Sequence, residues 1–139
     1  MIICILLGCI PFAIGGFMNW YMMEHMDVLL PYKLIGIGML VIWIFLAFAM
    51  KCWLKNNKKV IIGLNVVPFL VMILFGVQDL ILEAFWMNAF GWWPQYYFLP
   101  MFNLVSSFTS WSSRMTTDVV IMCMLFVAAT ALGCRLEEK

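Results

Sequence analysis

Apolar residues run through this chain in four long blocks, and polar residues gather in the gaps between them. The blocks cover residues 2–18, 34–53, 60–83 and 115–134. Crossing a bilayer takes about 17–25 predominantly apolar residues, so each block is read as a membrane-spanning helix. The gap at 51–59 reads Lys-Cys-Trp-Leu-Lys-Asn-Asn-Lys-Lys and puts four lysines into nine residues. Flanked on both sides by apolar runs, it is expected to be a short loop between the second and third helices. Its Lys51, Lys55, Lys58 and Lys59 are expected to hold it on the cytoplasmic side.

The other gaps set the remaining expectations. Residues 19–33 form a first loop, with Trp20 and Tyr21 as interfacial anchors and Pro31 feeding a helix that begins near Tyr32. Pro11 and the pair Gly15-Gly16 interrupt the first block. That block lacks the basic start and small-residue cleavage site of a signal peptide, so it is read as a retained helix. Residues 84–113 carry eleven of the chain's aromatics, broken by Gly91, Pro94 and Pro100. This stretch is too aromatic for a solvated loop and too interrupted for a clean span. It is expected to lie in the outer headgroup zone as short helical pieces near 84–91 and 99–109. Trp86, Trp92, Trp93, Tyr96, Tyr97 and Trp111 would then form an aromatic belt.

Composition agrees with lipid as the main solvent. Of 139 residues, 66% are hydrophobic and 11% charged, whereas a soluble domain is about half apolar and a quarter charged. The expected fold is therefore one all-α membrane domain of four transmembrane helices, with an outer interfacial aromatic segment. Both termini would share the side of the lysine turn. That side then holds Lys51, Lys55, Lys58, Lys59, Arg135 and Lys139, against Lys33 and Arg114 on the other. Six against two is the charge bias expected of a cytoplasmic face, and a bacterial plasma membrane is the expected location. The net charge of +1 gives nucleic acid no foothold.

Polar residues inside the spans are the candidates for function. Pro68 removes a backbone donor from the third span and should kink it. Asn65, three residues earlier, is placed to satisfy freed backbone groups or to tie the kinked helix to a neighbour. Asp79 and Glu83 stand four residues apart on one helical face near the outer end. With Glu24 and His25 from the first loop they form a candidate ion or proton site, and Asp79 is the strongest member because it lies deepest. Small residues at 36, 38, 47, 49, 129 and 133 mark expected close helix contacts.

Motifs for bond chemistry are missing. There is no His-Glu-x-x-His metal site, Gly-x-Ser-x-Gly elbow or phosphate-binding loop. Cys4, Cys9, Cys52, Cys123 and Cys134 show no Cys-x-x-Cys spacing and read as small apolar side chains. Small multidrug transporters carry a glutamate in the first helix, and residues 2–18 have none. No metal or cofactor is expected. Two function classes lead, with an enzyme acting on lipid, which would need the outer acidic residues and His25 to converge, as a third. One is a non-catalytic accessory, assembly or protective subunit that meets membrane lipid, another membrane protein or its own copies. The other is a small cation- or proton-coupled transporter or channel built on Asp79 and Glu83.

Overall fold

A computed structural model describes residues 1–25, 27, 30–82, 89–109 and 114–136, without the side chains of 89 and 90. Its regular elements are all helical: α1 (Ile2–Leu7), α2 (Ile10–Glu24), α3 (Tyr32–Leu54), α4 (Asn57–Gly76) with a π-helical turn at Val77–Ile81, α5 (Ala89–Ser106) and α6 (Met115–Arg135). Four of these stretches are long and apolar enough to cross a membrane: Ile2–Glu24, Tyr32–Leu54, Asn57–Ile81 and Met115–Arg135. The chain is thus an all-α protein with four candidate spans, as the apolar blocks require.

The first span reaches Glu24 rather than ending near residue 18. Nothing between Asn19 and Glu24 breaks a helix, and Asn19 directs its amide to the Tyr96 hydroxyl at 3.3 Å. The same span breaks at Gly8-Cys9. Pro11 has no N–H to give and crowds the carbonyl four residues back. The ladder shortens there: Cys9 N–H donates to Leu6 and Phe12 N–H to Cys9, three residues apart instead of four.

The lysine turn is tighter than the sequence suggests. α3 runs to Leu54 and α4 starts at Asn57, so two residues make the reversal. Lys55 takes a left-handed conformation (φ 49°), and the Asn56 side chain accepts from Lys59 N–H to cap α4. Lys51 is not in the turn at all. It lies in the last turn of α3, where its ammonium is buried and donates to the Cys134 carbonyl at 2.7 Å. Lys51 was expected to be a solvated loop charge. It is instead a tie onto the C-terminal end of α6, where orphan carbonyls and the helix dipole favour a cation.

α3 and α6 run parallel, and α4 runs antiparallel to both. Lys51 meets Cys134 at one end, and Asp79 meets Thr116 at the other. The lysine turn and the end of α6 therefore share one end of the bundle. At the opposite end sits α5, in the half expected for the aromatic stretch but in a different form. It is one continuous 18-residue helix with Pro94 and Pro100 inside it, and it packs among α2, α3, α4 and α6. Tyr97, Phe98, Met101 and Val105 are fully buried. The expected piece at 99–109 is the C-terminal part of this helix and the turn after it. Most of the piece at 84–91 falls outside the described residues.

Two interior prolines are accommodated in the same way. Pro68 leaves the Leu64 carbonyl without its helical donor, and Pro100 does the same to Tyr96. A glycine faces each freed carbonyl. A Cβ built on Gly8 would stand 3.2 Å from the Leu64 oxygen, and one on Gly15 would stand 1.8 Å from the Tyr96 oxygen. Only a residue without a side chain lets α2 come this close to α5. Gly133 likewise backs onto the Ile44 carbonyl, with a hypothetical Cβ at 2.4 Å. Gly36 meets Leu104, whereas Gly38 has open space around it. Ala47 is fully buried against Gly133, while Ala49 is exposed.

Candidate functional site

Asp79 lies in the π-helical turn that ends the third span. Such turns add a residue to the helical circuit and redirect the side chains that follow. The Asp79 carboxylate accepts from Thr116 N–H at 3.1 Å and from the Thr116 hydroxyl. Thr116 is in the first turn of α6, where N–H groups lack partners inside the helix. Asp79 thus works as a cap supplied from another helix, with its negative charge at the favourable end of the dipole. Its neighbour Gln78 is fully buried.

A second acid lies close by in the sequence of α6. Asp118 is buried and accepts from the Thr109 hydroxyl. Thr109 follows the end of α5, so this contact fixes α5 to α6. Thr116 stands where the sequence allows a cap for the start of α6, whereas Thr109 and Thr130 were not singled out from the sequence. A threonine in or beside an apolar helix carries no spacing signal, and its role depends on which helix faces it.

The described members of the expected ion or proton site each make contacts of their own. His25 is exposed and stacks on Tyr21, with ring centroids 4.5 Å apart. Glu24 is exposed at the end of α2. Among the described residues no three of His, Cys, Asp and Glu come together to hold a metal. Glu83 lies outside the described residues.

Asn65 and Pro68 occupy the middle of the bundle. The Asn65 amide nitrogen donates to the Ile61 carbonyl at 2.9 Å and to the Thr130 hydroxyl at 3.0 Å. Thr130 in turn donates to the Phe126 carbonyl. One amide therefore joins α4 to α6 at membrane depth, where few competing donors exist. The Pro68 carbonyl accepts from the buried Cys123 thiol at 3.5 Å. Directly above this contact on α6, Phe126 packs against Trp43 with ring centroids 4.6 Å apart, and Tyr97 stands over it at 6.3 Å. The Tyr97 hydroxyl reaches across to the Gly8 carbonyl at 2.9 Å, which the break in α1–α2 leaves without its usual donor.

The aromatic residues divide. Tyr97 is core, and Tyr96 is half-buried on Asn19. Trp92 and Trp93 are about half exposed, with Trp93 edge-on to Phe12. Trp86 and Trp111 fall outside the described residues. A cleft of about 370 Å³ opens between α4, α5 and α6, walled among the described residues by Phe75, Phe98, Leu99, Phe102, Met115 and Val119, with Gln95 as a polar wall.

Comparison with protein-family models, with curated proteins and with the solved structures returns no match to this chain. The functional reading therefore stands on the residues and their geometry.

Proposed function

We propose that this small integral membrane protein acts by packing rather than by bond chemistry, as an accessory, assembly or protective subunit in contact with lipid or another membrane protein. The observation that carries this reading is how its polar groups are used. Lys51, Asn65, Asp79 and Asp118 each make a hydrogen bond that joins one helix to another or to the turn beside it. The volume between those ties is filled by Trp43, Tyr97, Phe98 and Phe126. Such an interior favours rigidity. Outside it, Leu34, Val41 and Phe45 of α3 and Ile62, Leu70 and Ile73 of α4 present broad apolar faces, suited to lipid or to another membrane helix. Purification in mild detergent with cross-linking tests this. A defined oligomer or a stoichiometric membrane-protein partner is expected, and a chain that is always monomeric and alone counts against it.

The π-helical turn at Asp79 favours one second reading, a cation- or proton-coupled transporter or channel with Asp79 and Glu83 at its mouth. Turns of this kind recur at functional sites, and an acid near membrane depth is costly unless it is paired or used. Flux into liposomes separates the two readings. If the wild type conducts and Asp79→Asn does not, the transport reading stands; no flux from either removes it. We further propose that both termini are cytoplasmic, on the charge bias, and that the membrane is a bacterial plasma membrane, on the compact chain and short loops.

A further inference from the structure

The end of the bundle that carries the lysine turn presents a face on which the packing reading makes no demand. Only Lys55 and Asn56 separate α3 from α4. Lys55, Lys58 and Lys59 are therefore confined to a single tight reversal, and all three are exposed. The Lys51–Cys134 bond ties the last turn of α6 to the last turn of α3, which brings the exposed Arg135 to the same end. Lys51 itself is buried, so among the described side chains the outward charge comes from Lys55, Lys58, Lys59 and Arg135. Beside them in the chain, Trp53 and Leu136 are 62% and 54% exposed. An exposed indole at the end of a span belongs at headgroup level.

Four cations held at one end of a bundle repel one another unless anions lie among them. Because these cations terminate candidate membrane spans, lipid phosphates are available as counter-anions beside the chain's own Glu137 and Glu138. We propose that this face is a binding site for anionic phospholipid, with Lys55, Lys58, Lys59 and Arg135 around the headgroup phosphate and Trp53 and Leu136 against the upper acyl chains. The occupant is a lipid rather than free phosphate because exposed cationic and apolar side chains are gathered at the same end of the bundle, and a lipid satisfies both. A basic residue near an anionic leaflet strengthens attraction by about fivefold, so the three turn lysines together matter by roughly a hundredfold at low salt. The inference holds whichever membrane face this end occupies, and whether the protein is a subunit or a transporter.

The test is lipid retention. The full chain is reconstituted in vesicles of phosphatidylcholine mixed with phosphatidylglycerol and extracted in mild detergent, and the retained lipids are quantified by mass spectrometry. Wild type is expected to retain phosphatidylglycerol well above its share of the vesicle, and to lose that excess as salt is raised. Joint substitution of Lys55→Gln, Lys58→Gln and Lys59→Gln is expected to reduce the enrichment at least tenfold. The arginine version of the same triple should keep it, which also shows that the fold survives changes in the turn. Lys33→Gln with Arg114→Gln, at the opposite end, should leave it unchanged. Equal retention by wild type and the glutamine triple would overturn the proposal. So would an equal loss from the opposite-end pair, which would make the effect one of net charge. Displacement of the lipid by millimolar glycerol phosphate would replace the lipid assignment with a soluble-phosphate site.

Discussion

Single side chains in this protein are worth most where they close a backbone group that a helix end or a proline leaves open. Lys51 closes the end of α6. Replacing it with Met removes a charge-assisted bond inside the bundle and should cost about 1.5–3 kcal/mol, read as a lower unfolding temperature in detergent. Lys55→Gln, in the exposed turn, should stay within about 0.5 kcal/mol. Tyr97 closes the Gly8 carbonyl. Tyr97→Phe keeps the ring but leaves a buried acceptor unmet, and should destabilise by about 1–3 kcal/mol. At Asp79 the informative pair is Asn against Ala. Asparagine can still accept from Thr116 and should leave stability nearly unchanged, while alanine strips the cap from α6 for about 1 kcal/mol. Comparing the two by thermal unfolding separates a structural acid from one that needs its charge.

Elements meet here through glycine and proline acting in pairs. The Pro100-freed carbonyl of Tyr96 lies on Gly15, so α5 rests directly on the backbone of α2. Gly15→Ala would put a methyl group into that oxygen and push the two helices apart. A loss of about 2 kcal/mol or more is expected, with α5 loosened first. Gly16→Ala, one position on, meets nothing within 4 Å and should be neutral or slightly stabilising. Unfolding of the two variants, measured side by side, checks the contact. The aromatic stretch also takes its character from this packing. Pro94 and Pro100 argue for broken pieces when α5 is considered alone. In the bundle, the buried face Tyr97-Phe98-Met101-Val105 outweighs the bonds those prolines omit. The sequence shows where the aromatics lie, but burial between four neighbours is a property of the neighbours.

For the molecule as a whole, the arrangement implies one cooperative body rather than four spans with a surface appendage. Backbone amides of 97–105 should exchange with deuterium as slowly as those of the middle of α6, because both lie in the same core. A helix lying on the membrane surface would exchange far faster. Such a measurement reports directly on whether α5 is structural, and the packing reading of function depends on that. It also bears on transport. A bundle whose centre is plugged by Trp43, Tyr97 and Phe126 needs a large rearrangement to open, and exchange would reveal such openings.

The sequence by itself determined that the chain is all-α with four stretches apolar enough to cross a membrane, and that lysines crowd the turn between the second and third. Each of these follows from sums along the chain: runs of apolar residues longer than a bilayer is thick, and lysines crowded into one gap. It also marked Asn65 as a helix tie and Pro68 as a break in the ladder, since those depend on backbone chemistry within a few residues. Other features depended on partners far away in the chain. Lys51 looks like a member of a basic loop until the end of α6 is found beside it, 83 residues on. Nothing local in the sequence says that Asp79 is bound to Thr116 or that His25 stacks on Tyr21. The aromatic stretch reads as a belt until four helices close around it. Hydrophobicity and charge are properties of a residue and its near neighbours, so they are legible in one dimension. Which carbonyl meets which glycine, and which acid caps which helix, is settled only when the spans pack.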